Sequence, residues 1–217
     1  MLVSEMIIMI YVLLFTLIIY CEGRSLRRDR SICSGSSKID IQTSYGVKIE
    51  PFDQSNVYID SLSEPFEDRH SLRFEFKTTS GNGTLFYAVR RNDLQDMVSG
   101  SLHEGYPQFK IRCMSSYADF TIPVRVDDGE WHRVRFIRRH GKGIFLVDEL
   151  EYFDQYYVSC GGFTSINFGN RNPAHYQSKS VKELQDKDGQ MDGCIRRFYI
   201  STGKDAHPHY TTVSECN

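Results

Sequence analysis

The feature that most constrains this chain is a two-residue hydrophobic period that keeps returning between short turn sequences. Leu72, Phe74 and Phe76 alternate with Arg73, Glu75 and Lys77. Phe109, Ile111 and Cys113 alternate with Lys110 and Arg112, and His132, Val134 and Phe136 with Arg133 and Arg135. Successive side chains of a strand point to opposite faces, so each run reads as a strand with one buried face. The apolar run Gly143 to Val147 reads as a further strand. Turn residues separate the runs about every ten positions, the signature of an antiparallel sandwich. Gly81-Asn82-Gly83, between the 72–77 run and Thr84 to Val89, predicts a β-hairpin. Asp127-Asp128-Gly129 and His140-Gly141-Lys142-Gly143 supply two more turns.

Ahead of this pattern, residues 6–20 are an unbroken apolar run, shorter than the roughly 20 residues of a comfortable membrane span. Cys21 and Gly23 occupy the small-residue positions of a signal-peptidase site, which places cleavage after Gly23. The charge bias points the other way, toward an uncleaved anchor. Glu5 precedes the run and Arg24, Arg27, Arg28 and Arg30 follow it. Residues 24–37 are basic, then rich in Ser and Gly, and read as a flexible lead. The domain itself is expected over 38–217.

With 26 basic and 28 acidic residues, the chain offers no global reason to bind nucleic acid, and any electrostatic site is a local patch. Cleavage would remove Glu5 and Glu22 and no basic residue, leaving a neutral chain with Cys33, Cys113, Cys160, Cys194 and Cys216. An odd number of cysteines in an oxidising compartment leaves one unpaired or bridged to another chain. Asn82-Gly83-Thr84 is an N-glycosylation sequon at an expected turn tip. Catalytic signatures are missing: there is no G-x-S-x-G, HExxH or Walker loop, and the expectation is a protein that is not an enzyme. Asp186-Lys187-Asp188-Gly189 has part of a calcium-loop pattern and reads as a solvated turn. His175, His207 and His209 lack the spacing of a closed zinc site and read as loop histidines.

Five ordered segments carry a resemblance. TLFYAV at 84–89, DDGEWHRVRFIRR at 127–139, IFLVDE at 144–149, FTSINFGN at 163–170 and MDGCIRRFYI at 191–200 together resemble a laminin G-like domain over about residues 38–217. The resemblance implies an all-β, concanavalin-like jelly-roll sandwich of two antiparallel sheets. It also implies a secreted recognition or adhesion module that binds a cell-surface or matrix protein. His132 is then a hydrogen-bonded structural histidine and Trp131 a packing residue.

The family pattern pairs Cys194 with Cys216. At the sandwich rim it places a calcium carboxylate nine residues before a strand-opening Gly. Here these are Asp96 and Gly105, with Asp93 as an alternative. Backbone carbonyls of Cys113 and Ser159 would complete the set, but Gly161 supplies no side-chain oxygen where the pattern has one. Calcium takes six to eight oxygens, so such a site is weak and calcium stays an open expectation. The same mapping brings Cys113 and Cys160 together as a second disulfide and leaves Cys33 to bridge a dimer.

The family also places the connection Asn172 to Tyr176 beside the ligand rim, as a contact surface. Basic residues at solvent-facing strand positions, Lys110, Arg112, Arg133 and Arg135, with Arg138, Arg139 and Lys142 near them, fit the acidic-glycan patches of such domains, with heparan sulfate as the expected glycan. A related branch of the fold holds steroid between its sheets, so the alternative is a carrier of a small hydrophobic ligand.

Overall fold

A computed structural model describes residues 39–216 apart from 53, 61, 63–64, 91–92, 114–115, 158–161, 171, 173–180, 182–187 and 203–206. The expected signal, the lead with Cys33, and Ser159, Cys160, Gly161, His175, Asp186 and Lys187 lie outside the described residues, as does the side chain of Asp93.

Two antiparallel sheets make the sandwich. In sheet I, β10 (Leu150–Tyr157), β9 (Lys142–Val147), β8 (His132–Arg139), β3 (Ser71–Lys77), β12 (Gly193–Ile200), β1 (Val47–Ile49) and β14 (Val213–Ser214) lie side by side in that order. In sheet II the order is β13 (His209–Thr211), β2 (Asn56–Ile59), β11 (Ser165–Gly169), β4 (Gly83–Arg90), β5 (Asp93–His103), β6 (Tyr106–Cys113) and β7 (Ser116–Thr121). The fold is the jelly-roll sandwich implied by the resemblance.

The inward positions of both sheets meet ring to ring. Phe145 of sheet I stacks on Phe109 of sheet II at 4.1 Å and on Phe136 at 4.3 Å. Phe74 of sheet I meets Phe86 and Phe168 of sheet II edge-on at 5.5 and 5.2 Å. All of these rings are buried. Offset and edge-to-face packing adds to the burial of their area. These rings fill the space between the sheets where β3, β8 and β9 face β4, β6 and β11.

Two hairpins close on two-residue turns, the one at His140-Gly141 as its turn sequence predicts and one at Glu104-Gly105 beyond those expected from the sequence. His140 and Gly141 between β8 and β9, and Glu104 and Gly105 between β5 and β6, all have positive φ. That is the conformation a two-residue hairpin needs, and glycine reaches it without strain. The expected hairpin at Gly81 to Gly83 does not form. β3 belongs to sheet I and β4 to sheet II, so residues 78–82 cross between sheets. The reason is that β4 is buried along both faces and packs centrally in sheet II between β11 and β5.

His132 opens β8 as a buried, clamped side chain. Its Nδ1 lies 2.6 Å from Asp148 Oδ2 and its Nε2 2.9 Å from Asp128 Oδ1. Asp148 also accepts the Arg133 backbone N–H at 2.7 Å, tying the β9–β10 turn to β8. Burial disfavours the imidazolium, but the two carboxylates outweigh it and raise the His132 pKa. Cys194 and Cys216 form a disulfide with a Cα separation of 5.8 Å, fastening the C-terminal segment to β12.

Two outcomes test this account. Phe145→Ala should lower stability by about 3–5 kcal/mol in chemical denaturation, because its neighbours from both sheets cannot all collapse into the gap. The second concerns pH. A raised folded pKa means the clamp stabilises fully below the ordinary histidine value of about 6.5 and is lost as pH rises through the folded value. The melting temperature should therefore fall from about pH 6.5 upward, and His132→Asn should flatten that slope.

Candidate functional site

The outer faces of the two sheets differ. On sheet II, Tyr87, Val89 and Met97 are buried against Val181, so this face carries a second small apolar cluster. On sheet I, the positions between the core residues of β3, β8 and β12 present Arg73, Arg133, Arg135, Arg197 and Tyr199 to solvent. The register arranges them in rows. Arg73 pairs with Arg135 on one side and Tyr199 on the other, and Glu75 pairs with Arg133 and Arg196.

Glu75 organises the second row. Only 7% exposed, it accepts from Arg196 Nε at 2.8 Å, Arg197 Nη1 at 3.1 Å and Arg133 Nη2 at 3.4 Å. Burial works against its ionised form, but the hydrogen bonds and charges of Arg196 and Arg197 outweigh it and hold the carboxyl below its usual range. A β12 irregularity between Arg196 and Tyr199 brings both Arg196 and Arg197 within reach of this one carboxylate. Trp131 is a platform rather than core packing. Arg196 Cζ lies 3.7 Å and Lys77 Nζ 5.3 Å from its ring centroid. Over both rows lies an open concavity of about 680 Å³, lined among others by Arg73, Glu75, Arg133, Arg135, Arg197 and Tyr199.

The basic residues expected on one face are divided. Arg133, Arg135 and Arg139 are exposed on sheet I. Lys110 and Arg112 belong to β6 of sheet II, so they do not join that surface. Lys110 is moreover 7% exposed, with its Nζ 3.2 Å from both carboxylate oxygens of Asp188. Lys110 does lie on the outer side that its alternation predicts, but there the outer side of sheet II is itself covered. Arg112 is half-buried, and its guanidinium lies 6.0 Å from the Tyr117 ring centroid. Arg138 is 5% exposed, and burial lowers its pKa. Asp188 is correspondingly a buried ion-pair partner and not part of a solvated turn. Asn172 is 4% exposed, so it is not the contact residue expected, and 173–176 lie outside the described residues.

At the rim, Asp96 is 2% exposed, and Arg90 Nη2 lies 3.7 Å from its Oδ2. Met97 pairs with Arg112, which puts Asp96 and Cys113 at neighbouring positions of the same two strands. A buried carboxylate beside a strand-end carbonyl fits part of a calcium shell, although the described residues hold no group of three or more His, Cys, Asp or Glu suited to a metal. Cys113 is disulfide-bonded, and its expected partner, Cys160, lies outside the described residues. His209 stacks on Tyr58 at 4.8 Å. Asn82 is exposed at the opposite end of the strands, where its Oδ1 accepts the Glu104 N–H at 3.2 Å. That bond leaves out the amide nitrogen that a glycan would modify.

The Laminin G domain family model matches residues 76–202. Cadherin-4 of Caenorhabditis elegans is 28% identical over 144 residues, covering 64% of this chain and 3% of its own length. The laminin subunit alpha of Drosophila melanogaster is 28% identical over 110 residues, 50% of this chain and 3% of its own. The chain thus spans a small fraction of the length of these relatives. In fold it matches domains LG4-5 of the mouse laminin alpha1 chain with a TM-score of 0.64 and 19% identity, over 89% of this chain and 52% of that one. The family match spans more than half of the residues and includes the β8 and β12 strands that build the arginine face, so the chain belongs to the laminin G domain family.

Proposed function

We propose that this chain is an extracellular recognition module that binds a cell-surface or matrix partner through the arginine face of sheet I, with an acidic glycan of the heparan sulfate kind as the ligand on that face. The observation that carries the reading is the charge arrangement. Arg73, Arg133, Arg135, Arg196 and Arg197 come together there around Glu75, with Asp148 and Glu149 bordering the end formed by Arg133, Arg196 and Arg197. Arginines in excess of the acidic groups around them raise the local concentration of an anionic partner and steer its approach. The disulfide chemistry of Cys113, Cys194 and Cys216 suits an oxidising compartment, as does the likeness to a laminin subunit. The role is binding rather than catalysis.

Calcium belongs to the same proposal as a separate site at the rim. Asp96 supplies the carboxylate and Cys113 a carbonyl, and water completes a weak shell. Rim and arginine face sit on different parts of the sandwich, so metal and glycan are read as independent.

The full chain should be retained on a heparin column and elute at a salt concentration that falls sharply in the double variant Arg133→Ala with Arg135→Ala, because screened surface charges carry the contact. Wild-type protein passing straight through would reject the glycan. Calcium titration should give a Kd of order 10⁻⁴ to 10⁻³ M that Asp96→Ala abolishes. Saturation unaltered in that variant would move the metal elsewhere.

A further inference from the structure

β7 is the last strand of sheet II, and its pairing with β6 decides which of its backbone groups are spare. The Ile122 N–H donates to the Pro107 carbonyl at 2.8 Å, so that position turns its backbone toward β6. Backbone groups of a strand point alternately to its two sides. Phe120, Ala118 and Ser116 therefore also face β6, whereas the N–H and C=O groups of Tyr117, Asp119 and Thr121 face away from it. Among the described residues nothing pairs with that side. Proteins blunt such edges with proline, lysine or a bulge. β7 has neither residue, and its 6 residues keep an unbroken register with β6. We propose that β7 pairs antiparallel with β7 of a second copy of this chain, joining the two copies of sheet II into one continuous sheet.

Three features favour a second copy over an unrelated strand. The first is self-complementarity. A two-fold axis that sets Ala118 opposite Ala118 of the partner subunit also sets Tyr117 opposite the partner's Asp119, and the reverse. Both are edge-facing positions, so each such pair exchanges two backbone hydrogen bonds. Tyr117 is 53% exposed and already donates its hydroxyl to Asp119 of its own strand at 2.8 Å. On β6, Asp119 has Lys110 opposite it and Tyr117 has Arg112, whose guanidinium lies 6.0 Å from the Tyr117 ring centroid. Rows crossing the junction then run cation, carboxylate, phenol, cation, with no like charges directly opposed. The next hydrogen-bonding register along sets Asp119 against its own copy, which repels. The second feature is packing. Ala118 is small, buried and inward, so nothing bulky meets at the axis. Half-buried Phe120 ends the core at this flank, with its ring 5.9 Å from Phe109 and 5.4 Å from Phe145, and a further strand would cover it. The third is charge. With 26 basic and 28 acidic residues, two copies approach without long-range repulsion.

The pairing has a consequence for display. The two-fold axis of an antiparallel edge contact stands perpendicular to the sheet, so both copies of sheet I lie on the same side of the joined sheet. Their outer faces point one way, and a ligand long enough to reach both is held at two places at once. No cysteine takes part, so the contact is separate from a bridge through Cys33.

The test is sedimentation equilibrium of the full chain carrying Cys33→Ser, which excludes a covalent bridge through that residue. A concentration-dependent dimer is expected. Asp119→Pro removes an edge-facing N–H without touching the β6 ladder, and should leave a folded monomer. Tyr117→Ala should weaken the dimer about fivefold to tenfold, the scale of two symmetry-related cross-strand pairs. Spin labels attached at Thr121→Cys report the register. With Ala118 on the axis, the two labelled positions lie about six residues, or about 20 Å, apart along the strands. A chain that stays monomeric up to about 100 μM overturns the proposal, and so does a dimer that Asp119→Pro leaves intact. Should Asp119→Pro fail to fold, the labels decide: a separation near that value supports the pairing and its absence overturns it. A monomer that binds a peptide of sequence SYADFT would replace the second copy with an extended segment of another protein.

Discussion

Phe145 lies between Phe109 of the opposite sheet and Phe136 of its own, at 4.1 and 4.3 Å, and this contact commits every second residue of the neighbouring strands to the interior. Once Phe74, Phe76, Val134 and Phe136 face inward, Arg73, Glu75, Arg133 and Arg135 face outward, whatever their mutual charge. A one-residue slip of β3 or β8 would bury guanidinium groups and expose phenylalanines. The core therefore fixes the register, and the register writes the outer surface.

Glu75 is an outer residue that is nearly buried, because arginines from β8 and β12 close over it. A buried carboxylate is costly unless paired, and here the pairing exceeds what neutrality requires. The excess is the point of functional interest. Three guanidiniums on one carboxylate leave net positive charge at the surface while ordering the side chains that display it. Arginines fixed in this way lose less conformational freedom on meeting an anion than arginines on a bare surface would.

Much of this was legible in the sequence, and the failures have physical reasons. Alternation assigned Arg133 and Arg135 to the outer side correctly, since it depends only on local geometry. It assigned Lys110 to an outer side as well, but periodicity does not say whether that side is covered, and the pairing with Asp188 joins residues 78 positions apart. Gly81 to Gly83 does break β3 from β4, but turn chemistry marks where a strand ends and not which strand the chain then joins. Arg73 and Glu75 stood in the same alternating run that defined β3, so their side was readable; their importance was not, because it depends on neighbours from β8 and β12. Arg197 was hidden by the irregularity after Arg196, which breaks the period at the position that matters.

The opposition of Arg73 and Arg135 shows how unequal forces settle such a face. The strands can separate the two backbone positions only by rotating their neighbours out of the core, so the side chains relieve the repulsion instead: the Arg73 guanidinium lies over Tyr199, its neighbour on the other side. Exposing one phenylalanine costs about 1.5–3 kcal/mol, whereas a like-charged cross-strand pair costs about 0.2–1 kcal/mol. Burial wins, so the sandwich keeps Arg73 and Arg135 at opposed backbone positions. In an edge strand or a mobile loop the same two residues would separate. In central β3 and β8, flanked on both sides by paired strands, they stay. A rigid sheet thus fixes where the two arginines emerge, and their long side chains settle the charge above it.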